Sequence, residues 1–107
     1  MPLYEKRTYS IAVGRMGDVV RLYTNEGWPV LAAAGFDQNL VGYFISDTGP
    51  LHQLIHVWRF DDDSARRAFW QRVIAHQAFR TFWSQVQPLV QAQEVQLWVS
   101  APWGPQP

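Results

Sequence analysis

The stretch GYFISDTGPLHQLIHVWRF, from Gly42 to Phe60, decides the fold. It reads as two β-strands around the turn Asp47-Thr48-Gly49-Pro50, where Gly supplies unusual backbone angles and Pro stops further strand pairing. The second strand is apolar on both faces, with Leu51, Ile55 and Val57 on one side and Leu54, Trp58 and Phe60 on the other. A sheet with helices on one side only would leave its other face wet and polar. Something is therefore expected to cover the second face. Embedded in this strand are an imidazole and an indole, His56 and Trp58.

Upstream, Leu3–Val13 (LYEKRTYSIAV) predicts a first strand, followed by a turn between Gly14 and Gly17. Asp18 suits the positive end of the helix that follows. Val19, Tyr23, Val30, Leu31 and Ala34 recur near helical spacing, but Gly27 and Pro29 interrupt them. Pro29 has no amide donor and crowds the carbonyl one turn back, which predicts a kink near Gly27-Trp28. Gly35 is placed to cap the end.

The hairpin strands are expected over Leu40–Asp47 and His52–Phe60. Asp61-Asp62-Asp63-Ser64 offers capping oxygens to a helix over Ser64–Ile74, with Ala65, Phe69 and Val73 on one face. Phe79, Phe82, Trp83 and Val86 mark a further amphipathic helix, which Pro88 should end. Glu94–Ser100 reads as a last strand. The order β-α-β-β-α-β is that of an α+β ferredoxin-like plait, a four-stranded antiparallel sheet with helices on one face. A single domain is expected over residues 1–100, with a Pro-rich tail at 101–107.

A chain of 107 residues buries only roughly 60–70% of its unfolded surface, so a second copy would help. Six Trp, six Phe and four Tyr are a heavy aromatic load for so small a core, pointing to an interface or a lined cavity. Nine basic and nine acidic residues give a formal charge of zero, without the basic stripe that nucleic acid requires. The absence of cysteine excludes disulfides and thiolate chemistry. MPLYEKRTYS lacks the apolar core of a signal peptide, and no run approaches the ~18 apolar residues of a membrane span. A cytoplasmic protein is expected.

Several segments are similar to the NIPSNAP family of the dimeric α/β-barrel superfamily. They are Tyr4-Glu5-Lys6-Arg7-Thr8-Tyr9, Glu26-Gly27-Trp28-Pro29, Leu40-Val41-Gly42-Tyr43-Phe44, and Gly49-Pro50-Leu51-His52-Gln53 with His56-Val57-Trp58. His52 departs from the family pattern, in which a short amide residue is usual. The resemblance implies a homodimer whose sheets pack face to face into a barrel. It implies little about chemistry: members are mostly uncharacterised, and animal relatives are linked to mitochondria and vesicle traffic. Other families of the fold include cofactor-independent monooxygenases, haem-degrading enzymes and isomerases, which is analogy only.

Centring the turn on Gly49-Pro50 sets Tyr43 opposite His56, Val41 opposite Trp58 and Ile45 opposite Leu54. Tyr43 and His56 can then act as hydrogen-bond donor and general base, or form a buried pair that stabilises the sheet or a dimer. Trp58 packs the core or floors a pocket, and its indole needs a partner. Arg7 shares a strand face with Tyr9 and either holds a ligand carboxylate or pairs with Glu94. Trp28, beside the kink, is a lid or a staple. His52 and His56 would lie roughly 13 Å apart on a strand, too far to share a metal, so neither metal nor cofactor is expected. His76 reads as a helix-junction residue, and Arg66, Arg67, Arg72 and Arg80 as a solvated face.

Two functions fit. One is a homodimer binding a small organic molecule beside His56, Tyr43 and Trp58, with cofactor-independent oxygenation or isomerisation as its chemistry. The other is a non-catalytic interaction module that holds a partner through its dimer surface or through Trp103 in the tail.

Overall fold

The computed structural model describes residues 2–107, leaving Met1 outside. Four strands, β1 (Leu3–Ile11), β2 (Leu40–Ile45), β3 (Gln53–Phe60) and β4 (Val90–Val99), form one sheet in the order β2-β3-β1-β4, with antiparallel neighbours. The first connection carries α1 (Met16–Leu22), a π-helical turn Tyr23–Gly27 and α2 (Trp28–Ala33). The second carries α3 (Asp63–Ala75) and α4 (Gln77–Val86). This is the ferredoxin-like plait. Among the described residues, no helix is long and apolar enough to cross a membrane.

The expected kink is a widened turn. The Trp28 amide bonds to the Tyr23 carbonyl, five residues back. Pro29 can donate nothing and would crowd the Asn25 carbonyl in a regular helix, so the ladder opens by one residue. Gly27 follows from packing: a Cβ there would clash with the edge of the Phe82 ring on α4. Gly27→Ala should gain about 1 kcal/mol of helix propensity and lose more through overpacking, which typically costs about 1–3 kcal/mol. A net loss is expected in urea unfolding, with Phe82→Leu costing less in the Gly27→Ala background than in wild type. Additive effects would refute the clash.

Asp62 caps α3 by accepting from the Ala65 amide at 2.7 Å. His76 separates α3 from α4, and its Nδ1 accepts from the Phe79 amide at 3.3 Å. The core lies between helices and sheet in two clusters: Leu31, Phe36, Trp58, Phe60, Phe69 and Val73, and Tyr9, Ile11, Val19, Leu54 and Leu89.

Several boundaries and pairings differ from the sequence reading. β1 stops at Ile11, and β4 starts at Val90, ahead of Glu94, because Ile11 already pairs with Val90 across an irregularity. The loop between β2 and β3 runs from Ser46 to His52. There Gly49 (φ 70°) and His52 (φ 61°) are left-handed, a conformation that a short amide residue tolerates better than an imidazole. Tyr43 faces His56 and Ile45 faces Leu54 as expected, but Leu40, not Val41, opposes Trp58. The register shifts between Leu40 and Gly42, a bulge in which the Phe44 ring occupies the place a Gly42 side chain would take.

Candidate functional site

The helix-facing residues of the central strands gather around His56. Strand alternation puts Tyr43 of β2, His56 and Trp58 of β3, and Arg7 and Tyr9 of β1 on one face. The imidazole is 2% exposed. Tyr43 stacks on it with ring centres 4.9 Å apart and planes at 16°, while Tyr9 meets it edge-on at 4.8 Å. No hydrogen bond joins the Tyr43 phenol to the imidazole. Instead the Trp58 indole donates to His56 Nδ1 at 2.6 Å, giving that indole the partner its burial demands.

The bond fixes the tautomer. With Nδ1 accepting, the neutral ring carries its proton on Nε2, which has no protein acceptor among the described residues. Burial, aided by the nearby Arg7 charge, pushes the His56 pKa down to about 3. Burial raises that of Tyr43, with Tyr9 adding to it and Arg7 opposing. Tyr43 and His56, which the register allowed as donor and general base or as a buried stabilising pair, are a stacked, uncharged pair at neutral pH. His56 is a weak base there.

On the outer side of Tyr43 lies an apolar cleft of about 470 Å³ between the first helical connection and the sheet edge. Val19, Val20, Tyr23 and Trp28 form one wall, and Tyr43, Ile45 and Leu54 the other. Of the residues singled out in the sequence, Tyr43 and Trp28 reach this cleft. His56 stands behind Tyr43 and Trp58 deeper in the core. Tyr23 and Thr24 were missed. Tyr23 lay in the helical pattern, but only the π turn shows which way it and Thr24 face.

Arg7 does not pair with Glu94. Its neighbour on β4 is Val95, while Glu94 opposes Thr8 and therefore belongs to the other face. Arg7 Nε instead bonds Glu5 at 2.9 Å, and Arg66 bonds the other Glu5 oxygen at 2.7 Å. Arg66 also reaches Asp63, but its bond to the buried Glu5 takes it out of the solvated face formed by its exposed neighbours. Glu5 could have been found, because it shares strand parity with Arg7 and Tyr9. So could Arg66, at helical spacing from the buried Phe69 and Val73.

A sequence profile of the NIPSNAP family matches residues 4–105. The chain belongs to the NIPSNAP family. A NIPSNAP family protein from Agrobacterium tumefaciens has a crystal structure with TM-score 0.88 and 27% identity, covering 96% of this chain and 89% of that one. A second from the same organism, described as of unknown function, gives TM-score 0.89 and 26% identity over 97% and 92%. An uncharacterised NIPSNAP domain protein from Burkholderia xenovorans gives TM-score 0.85 and 29% identity over 97% and 99%. An antibiotic biosynthesis monooxygenase, 15% identical with TM-score 0.63 over 94% and 99%, shares the fold with this NIPSNAP protein and shows nothing of its chemistry. No curated protein matches the chain at the sequence level.

Proposed function

We propose that this NIPSNAP protein acts in the cytoplasm as a homodimer that binds a small, mainly apolar organic ligand beneath Trp28. The observation that carries this is the cleft, apolar-walled with the phenols of Tyr23 and Tyr43 and the Thr24 hydroxyl as its polar side-chain groups. Such a site holds one ligand by burial and orients it by a few hydrogen bonds. His56 positions Tyr43 by stacking, and Trp58 holds His56. Cofactor-independent oxygenation or isomerisation is the reaction class compatible with dry walls and a phenol donor. In it the neutral His56 supports Tyr43 and does not abstract the proton.

The dimer reading rests on the sheet face away from the helices. Phe44, Val41 and Trp98 are exposed there, and Ile55 and Val57 half-buried. The tail lies along this face: the Tyr4 hydroxyl donates to the Pro107 carbonyl oxygen at 2.6 Å, and Trp103 and Pro105 border a groove with Val41, Phe44 and Trp98. Light scattering should give one species near twice the 12.4 kDa chain mass, and a stable monomer at micromolar concentration would contradict this.

Titration with N-phenyl-1-naphthylamine, a neutral fluorescent probe, tests the cleft. Wild type should bind it, and Val20→Trp, which fills the cleft from a half-exposed position, should weaken binding at least roughly tenfold with little change in Tm. Equal binding by the two proteins would refute the site. The exposure of Trp103 favours a second reading, an interaction module that grips a partner protein through the tail. Deleting residues 101–107 would then release a pulled-down partner and leave probe binding unchanged.

A further inference from the structure

On the side of His56 away from the cleft, two buried hydrogen-bond donors lack a protein acceptor among the described residues, and a guanidinium lies beside them. His56 Nε2 and Trp70 Nε1 are fully buried and find no protein acceptor among the described residues. Both rings pack on Trp58, at 5.8 and 5.2 Å. Arg7, the cross-strand neighbour of His56, lays its guanidinium over the Trp70 ring at 4.0 Å. It commits Nε to Glu5 and hydrogen-bonds the Tyr9 phenol, and among the described residues it reaches no second acid. A buried donor without an acceptor is costly, so such groups mark a place where an acceptor belongs.

Arg7 is also the less well-paired of the two cations here, among the described residues. One buried carboxylate, Glu5, serves two guanidiniums, Arg7 and Arg66; Arg66 has a second acid in Asp63, and Arg7 has none. An acceptor-only, negatively charged group therefore fits better than water, which brings two hydrogens of its own. Access comes from the sheet edge, because Arg7 is 19% exposed. Beside it on the same face, Val95 and Leu97 of β4 are 49% and 44% exposed, forming an apolar strip that leads to the guanidinium.

We propose that Arg7, Trp70 and His56 hold the carboxylate of a small organic acid whose apolar body lies along Val95 and Leu97. Arg7 supplies the charge and a planar fork suited to a carboxylate. The indole and imidazole N–H groups set its orientation. This site does not depend on the cleft beneath Trp28.

Benzoate is the probe, with benzyl alcohol as its uncharged counterpart. In ¹H–¹⁵N spectra of the full chain, the Trp70 indole signal, assigned by its loss in Trp70→Phe, should shift and saturate with benzoate at millimolar concentration. Benzyl alcohol should leave it in place. Because Arg7 also braces Glu5, the decisive variant is Val95→Glu, which sets a like charge at the exposed entrance beside Arg7 and leaves Glu5, His56 and Trp70 in place. It should weaken benzoate binding by at least roughly tenfold with little change in Tm. Trp70→Phe should weaken binding by roughly three- to tenfold, measured by calorimetry. An unmoved Trp70 signal, an equal response to benzyl alcohol, unchanged affinity in Val95→Glu, or shifts confined to Trp28 and Tyr43 would each overturn the site.

Discussion

Replacing Glu5 with Ala is expected to cost about 3 kcal/mol of unfolding free energy, the low end of the range for removing one partner of a buried ion pair. Glu5 is wholly buried and holds Arg7 through one oxygen and Arg66 through the other. Its loss strands Arg7 between Trp70 and the sheet, while Arg66 keeps Asp63. Both arginines retain an exposed edge, 19% and 14%, which is why the low end applies. Urea unfolding followed by circular dichroism at pH 7.5 measures it. Glu5→Leu combined with Arg7→Met, which replaces the pair by apolar groups of similar volume, should recover more than half of the loss. A deficit below about 1 kcal/mol in Glu5→Ala would mean that this network does not brace β1.

The second large effect is acid sensitivity from His56. Unfolded, the imidazole takes a proton near its ordinary pKa of 6.5; folded, it resists until about pH 3. Between those values the unfolded chain holds more protons, so stability rises with pH there. The contribution is complete above pH 6.5 and is lost as the pH falls. Relative to high pH the loss reaches about 2 kcal/mol at pH 5, and it continues toward pH 3 at about 1.36 kcal/mol per unit. His56→Asn, which keeps an acceptor for the Trp58 indole, should lose this component of the slope. Stability curves that run parallel for wild type and variant would refute it.

The fold was legible because its signals are local. Gly49 and Pro50 mark the hairpin loop, the capping Asp62 starts a helix, and Pro29 disturbs one, whatever the rest of the chain does. The Tyr43–His56 register followed from the turn alone. What was missed depends on more than one element. The Gly42 bulge, which gives Leu40 the place expected of Val41, depends on how Phe44 folds back over the strand. Arg7 turned to Glu5 because strand parity forbids Glu94, and Arg66 joined them from a helix across the core. The stacking of Tyr43 on His56 could not be told from hydrogen bonding, since cross-strand pairing fixes the separation of two rings and not their tilt.

The π-helical turn at Tyr23–Gly27 has an evolutionary reading. Such a turn is equivalent to one residue added to a regular helix. Each residue of an α-helix advances the direction of its side chains by about 100°. A relative lacking one residue between Tyr23 and Gly27, and carrying another residue in place of Pro29, could run as a continuous helix from Met16 to Ala33, with the position of Trp28 turned off the sheet edge. A single-codon insertion or deletion, paired with gain or loss of that proline, would thus open or close the roof of the cleft, leaving the sheet and its core in place.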